Sequence, residues 1–276
     1  MSHPLIATVP PAIQPPPRAA KKSVEKKRRS IDALLEPWNR LVSNSNRFFA
    51  STLQPFEILG QVYRIPRYHF IGPRAGGDYL RVGLFASLRG DETDALEALP
   101  TFIRNLATEP DLARGFELFL YPLSNPTGVE DGTRWSRVGG DLEDLFWRES
   151  IQPEIILLEK QIEALKFDGL ISIGEWDGEG MAGALRPASL AGDVLEPALG
   201  AAAAHLAGKP AAPPVFRQKL GGVSASPQVR PRPFEASVAM PRTRREPKEK
   251  RPEALSIALT SLLAGYARHL AYAQGI

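Results

Sequence analysis

Tyr79-Leu-Arg-Val-Gly-Leu-Phe-Ala-Ser-Leu-Arg-Gly-Asp-Glu92 decides the fold. Its first ten residues, ending at Leu88, form a largely apolar run without polar alternation, the pattern of a strand buried on both faces. Helical spacing follows at once, with Ala95, Leu96, Leu99, Phe102, Ile103 and Leu106 on one face of a helix over 92–106. The same alternation repeats downstream. Strands are expected at 116–121, 167–173 and 234–240, and helices at 153–165, 190–206 and 253–273, with Pro153 in a first turn. Upstream, Ile31, Leu34, Leu35, Trp38, Leu41 and Val42 predict an amphipathic helix capped by Ser30, with Pro37 bending or breaking it. Residues 56–70 read as short extended strands, and 122–128 as a turn. The expected fold class is therefore α/β: a mixed, mostly parallel sheet sandwiched by helices.

Composition narrows the chemistry. The 276 residues are 43% hydrophobic and 24% charged, which suits a folded domain with a sizeable core. There is no cysteine, so disulfides, thiolate metal sites and cysteine nucleophiles are excluded. The four histidines, His3, His69, His205 and His269, stand in separate regions and form no His-x-x-x-His zinc helix. His69 reads as a strand histidine, and His269 falls on the terminal helix.

Positive charge is concentrated at two places. Residues 1–30 carry seven Lys/Arg against Glu25 alone, and residues 241–253 carry six against three Glu. The remaining body is mildly acidic. Residues 1–29 read as a disordered, Pro-rich basic tail, and 30–276 as a single domain. Such a tail serves either as a solvated, solubilising segment or as a tether to nucleic acid or an anionic surface. No apolar run approaches the length of a membrane span, and Arg28-Arg29 is followed by Ser-Ile-Asp rather than an apolar stretch. A cytoplasmic location is the expectation.

In an open sheet of this kind, ligands sit beyond the carboxyl ends of the inner strands. Those ends are Ser87–Glu92, Tyr121–Gly128 and Gly174–Gly180. Asp91, Glu92, Glu175, Asp177 and Glu179 offer oxygen ligands for Mg²⁺ or Ca²⁺, but they lack the full calcium-loop spacing, and a solvated acidic loop is the plainer reading.

Taken in order, the strand-end motifs are Ala86-Ser-Leu-Arg89-Gly90-Asp91-Glu92, Asn125-Pro126-Thr127-Gly128, Thr133-Arg134, Asp141-Leu142-Glu143-Asp144-Leu145-Phe146, Asp168-Gly-Leu-Ile-Ser-Ile173-Gly174-Glu175 and Phe234-Glu235-Ala236. This series, over most of residues 55–272, resembles the zinc carboxypeptidase family, including its murein-peptide amidase and succinylglutamate desuccinylase/aspartoacylase-like branches. The resemblance implies that Glu92 stands at a zinc-ligand position, with Arg89 and Gly174 where the two ligating histidines belong. It places Glu143 and Asp144 where an Asn-Arg pair grips a substrate carboxylate. It makes Arg134 the residue that polarises the scissile carbonyl and Glu235 the general base, both vestigial if the metal is lost.

Those replacements remove two of the three zinc ligands. A guanidinium has no lone pair to donate, and glycine has no side chain. The expected function is a carboxypeptidase-like pseudo-enzyme without zinc or another cofactor, binding a peptide or amino-acid-like ligand or acting as a scaffold. Its pocket would draw on Arg89, Glu92, Asn125, Glu143, Asp144 and Glu175, and Arg89 is expected to pair with Glu92 or Glu235. The alternative is a living metal-dependent carboxypeptidase, amidase or deacylase, with zinc in a rearranged site. Tethering to nucleic acid through the tail is a third reading.

Overall fold

The computed structural model describes residues 28–207, 215–216, 221–242 and 247–273. The expected tail lies outside these residues except for Arg28 and Arg29, which are fastened to the body. The Arg29 amide donates to Glu130 O (2.9 Å), and its guanidinium donates to Gly90 O (3.2 Å).

Helix α1 (Ile31–Ser43) begins as expected, with Ser30 Oγ accepting from the Ala33 amide. Pro37 does not break it. An interior proline costs about 3 kcal/mol, but the adjacent Trp38 is fully buried, stacks on Tyr68 and donates its indole N–H to Leu96 O at 3.2 Å. Packing outweighs the missing backbone bond. Strands β1 (Phe48–Thr52), β2 (Phe56–Ile58), β3 (Gln61–Tyr63) and β4 (Pro66–Ile71) follow, β2 and β3 forming a separate hairpin.

The alternating part of the chain then runs β5 (Leu80–Ala86), α2 (Asp94–Thr108), β6 (Phe116–Tyr121), α3 (Pro126–Asp131), α4 (Pro153–Leu165), β7 (Gly169–Trp176), β8 (Ala182–Arg186), α5 (Glu196–Ala207), β9 (Val215–Phe216), β10 (Phe234–Pro241) and α6 (Arg251–Ala273). The eight-stranded sheet has the order β1-β4-β6-β5-β7-β10-β8-β9. Its centre, β6-β5-β7-β10, is parallel throughout, and β1, β4 and β8 join antiparallel to their inner neighbours. This is the expected mixed, mostly parallel sheet.

Three details differ from expectation. Strand β8 is built from Ala-Gly-Ala-Leu-Arg, which has little intrinsic strand preference and is held by pairing with β10. The stretch read as a turn contains the start of α3, capped by Asn125 Oδ1 accepting from the Gly128 amide at 2.8 Å. Strand β7 continues past Ile173 to Trp176, because β10 pairs with it as far as Pro241 opposite Trp176. Gly174 and Glu175 are therefore strand residues.

Alternate residues of each inner strand serve two cores. Val82, Leu84, Ala86, Ile171, Ile173, Phe234, Ala236 and Val238 pack with α1, α2, α5 and α6 on one face. Phe85, Tyr121 and Leu170 pack with α4, Leu142 and Phe146 on the other. Ser172 and Gly174 on β7, and Glu235, Ser237 and Ala239 on β10, alternate with the first set and so turn toward the second face. There the site lies.

Candidate functional site

The turn after β5 brings Arg89 and Glu92 to the carboxyl edge of the parallel strands. Glu92 is only 3% exposed. Arg89 Nη1 meets its Oε1 at 3.3 Å, while Nη2 meets Glu143 Oε2 at 2.8 Å and Nε stands 3.5 Å from Asp141 Oδ2. Asp141 is shared with Arg134, whose Nε donates to Oδ2 at 2.7 Å. From the other side comes Arg242, immediately after β10. Its Nη2 lies 3.4 Å from Glu92 Oε1 and 3.5 Å from Asp91 Oδ2, and its Nε donates to Glu175 Oε2 at 3.1 Å. Glu92 Oε2 accepts the Glu175 amide at 3.2 Å.

Glu175 also serves α2. No side chain of Thr93 caps that helix; instead Glu175 Oε1 accepts the Asp94 amide at 2.9 Å, a carboxylate set on a helix N-terminus from a neighbouring strand. Asp94 in turn is paired with Arg251 (2.7 Å) and Lys248 (3.2 Å). Ion pairs thus run across the strand ends from Arg134 to Glu175, and the Asp94 backbone amide links that ladder to the Asp94–Arg251 pair.

Burial is the main reason why Glu92, Glu143 and Glu175 are each pushed up to about 7. Glu143 adds repulsion at Glu92, Asp141 at Glu143, and Asp94 at Glu175, and the arginines only partly offset this. A carboxyl whose folded-state pKa is raised binds more protons folded than unfolded, so its stabilisation is present at low pH and lost as pH rises through 7. His69, pushed down by burial, acts in the opposite sense below about pH 6.5. Between pH 6.5 and 8 the carboxyls dominate. Unfolding free energy is expected to fall by about 1–2 kcal/mol across that window, as measured by urea titration. A rise over the same interval would contradict the raised values.

Three cavities that share lining residues follow the same edge. One of about 190 Å³ is walled by Arg89, Glu92, Arg134, Glu175, Trp176 and Arg242. A second, about 200 Å³, lies over Gly174, Ser172, Ser237 and Ala239 and touches Glu92 and Glu143. The third, about 180 Å³, extends past Gly221 and Gly222 to Glu235, Arg186, Asp144 and Arg148.

Solved structures of the same architecture are known. The chain superposes on a metallo-carboxypeptidase from Burkholderia cenocepacia with a TM-score of 0.66 at 14% identity, over 88% of this chain and 70% of that one. It matches a protein from Shewanella baltica assigned as a metallopeptidase with a TM-score of 0.63 at 20% identity, over 85% of this chain and 92% of that one. It also matches carboxypeptidase A from Helicoverpa armigera with a TM-score of 0.61 at 15% identity, over 86% and 74%. The fold is that of the zinc carboxypeptidases. No protein-family model and no curated protein matches the sequence.

Within this carboxypeptidase-like frame, the residues singled out from sequence fall into three groups. Arg89, Glu92, Arg134, Glu143 and Glu175 are brought together in the ladder. Gly174 stands against Glu92, since a Cβ there would lie 2.8 Å from Glu92 Oε2. Arg89 pairs with Glu92, Asp141 and Glu143. Glu235 instead accepts the Ala225 amide at 2.9 Å and lies 3.6 Å from Arg186. In register, Ala239 is level with Gly174 and Glu235 with Leu170. Glu235 is therefore four residues, about 13 Å, back along the strand. Asp144 is exposed at the rim of the third cavity. Asn125 is fully buried, capping α3 and donating from Nδ2 to Leu88 O at 3.0 Å, so its role is to hold the loop that carries Arg89.

Sequence reasoning missed Arg242 and Asp141 as members of the site. Arg242 had one available signal, its position directly after an inner parallel strand; its surroundings of Arg and Lys made it look like part of a charged loop. Asp141 had none beyond its motif.

The donor set does not fit zinc. A catalytic zinc needs about three neutral or anionic protein donors. Here Glu92 Oε1 has guanidinium groups at 3.3 and 3.4 Å, Arg89 carries no lone pair, and position 174 carries no side chain. Among the described residues, no three His, Cys, Asp or Glu are grouped to hold a metal ion. No helix of the described residues is long and apolar enough to cross a membrane.

Proposed function

We propose that this chain is a carboxypeptidase-fold binding protein that has given up zinc hydrolysis and uses its cleft to hold a peptide or amino-acid-like ligand. The observation that carries the reading is the clasp on Glu92. The one carboxylate at a ligand position is buried between arginines, with Gly174 beneath it. A metal ion entering there would have to displace a guanidinium from a buried carboxylate, and among the described residues no three His, Cys, Asp or Glu are grouped to help. A cleft that does not hold a metal would lack the Lewis acid that lowers the pKa of an attacking water.

The cleft keeps the equipment of a polar binding site. Ser172, Ser237 and the backbone at Gly221 and Gly222 line it, with Arg148, Arg186 and Glu235 at the far end. The acids at 143 and 144 do not present a doubled negative charge, because Glu143 faces Arg89. The mixture of charges suits a ligand bearing both an amino and a carboxylate group.

Metal analysis of the purified full-length chain tests the reading. Zinc is expected well below one equivalent after dialysis, and chelator is expected to leave thermal stability unchanged. About one equivalent of tightly held zinc, together with chelator-sensitive hydrolysis of peptide or acyl-amino-acid substrates, would overturn it.

A further inference from the structure

We propose that Arg242 and Arg89 act as a pair that replaces a divalent cation, two guanidinium groups supplying to one buried carboxylate the two positive charges a metal would bring. The inference rests on the non-hydrolytic reading above and deepens it. Both groups converge on the same atom, Glu92 Oε1, from opposite sides of the cleft, Arg89 from the turn after β5 and Arg242 from the end of β10. Each is fixed independently. Arg89 is anchored by Glu143 and Asp141, and Arg242 by Glu175 and Asp91.

Independent anchoring has a consequence for metal binding. Removing Arg89 alone leaves a guanidinium on Glu92, so the site still repels a divalent ion. Placing imidazoles at 89 and 174 is therefore insufficient. Space is the lesser obstacle: a Cβ at 174 meets only the far end of the Glu92 side chain, at 2.8 Å, so that the carboxylate must shift slightly. The greater obstacle is charge, and Arg242 holds it. This makes Arg242 a positioning residue for Glu92 and a barrier to metal.

The test compares zinc affinity, by calorimetric titration with zinc alone, in three folded variants: Arg89→His/Gly174→His, Arg242→Gln, and the triple combination. The triple variant is expected to bind zinc at least about ten-fold more tightly than the double, and Arg242→Gln alone is expected to bind none. Equal affinity in the double and triple variants would overturn the pairing while leaving the non-hydrolytic reading intact. Strong binding by the unmodified chain would instead overturn that reading. Arg242→Gln and Arg242→Lys provide a second measurement that does not need the triple variant to fold. At pH 8 the Gln variant should melt several degrees below the unmodified chain, and Lys should recover much of the loss. A Gln variant that melts like the unmodified chain would also overturn the proposal.

Discussion

Arg89→Ala is expected to lower the unfolding free energy by about 3–5 kcal/mol at pH 8. The reason is what the substitution leaves behind. Glu92 is buried and Glu143 nearly so, and Arg89 holds an oxygen of each at 3.3 and 2.8 Å. Deleting one partner of a buried charge pair strands the other, which costs more than the pair contributes when intact. Here Glu143 loses its ion-pair partner, and Glu92 is left with Arg242 alone. The loss should shrink at pH 6.5, because both groups already titrate near 7 and can meet the deficit by binding protons. Urea unfolding at the two pH values measures both effects. Arg89→Lys keeps the charge but loses the fork that reaches Glu92 and Glu143 together, so it should recover only part of the loss. A change below about 1 kcal/mol at pH 8 would place Arg89 among ordinary surface arginines.

Gly90→Ala is expected to be as damaging for a reason unrelated to charge. A Cβ at this position would fall 2.0 Å from Gly128 C, 2.4 Å from Gly128 O and 2.4 Å from Val129 N. All three are backbone atoms at the start of α3, whose place is fixed by Asn125 bonding Leu88 O. Neither segment can yield without moving the other. Overpacking of this kind costs about 3 kcal/mol or more. For a domain of this size that corresponds to roughly 6–12 °C in melting temperature, and soluble yield should fall with it. Calorimetry checks the expectation, and an alanine variant melting within about 2 °C of the parent would contradict it. The glycine in Arg89-Gly90-Asp91-Glu92 thus lets the turn after β5 press directly on α3.

The site was legible in the sequence to different depths. The pairing of Arg89 with Glu92 was visible because the two lie three residues apart in one turn, and local geometry leaves them few alternatives. The closeness of Gly174 to Glu92 was implied by the resemblance, which sets both at zinc-ligand positions, and the pairing of β5 with β7 produces it. Glu235 was a different matter. The resemblance drew attention to it as a general base, but register places Ala239, not Glu235, level with Gly174. A slip of four residues along a strand preserves the face and moves the side chain about 13 Å.

The hydrophobic pattern by itself determined the layering: which runs become inner strands, which become covering helices, and that the sheet is buried on both faces. Burial of apolar surface is a property of each segment, written in its own composition and period, and needs no knowledge of its neighbours. The absence of cysteine and the scarcity of histidine likewise limited the chemistry before any fold was known. Tertiary structure alone decided that Arg242 shares an oxygen with Arg89, that Glu175 caps α2, that Asn125 is a support and that Glu235 stands apart. Those contacts join residues up to about 150 positions apart through strand register and loop approach. A charged side chain chooses its partner by distances of a few ångströms, and only the assembled sheet sets them.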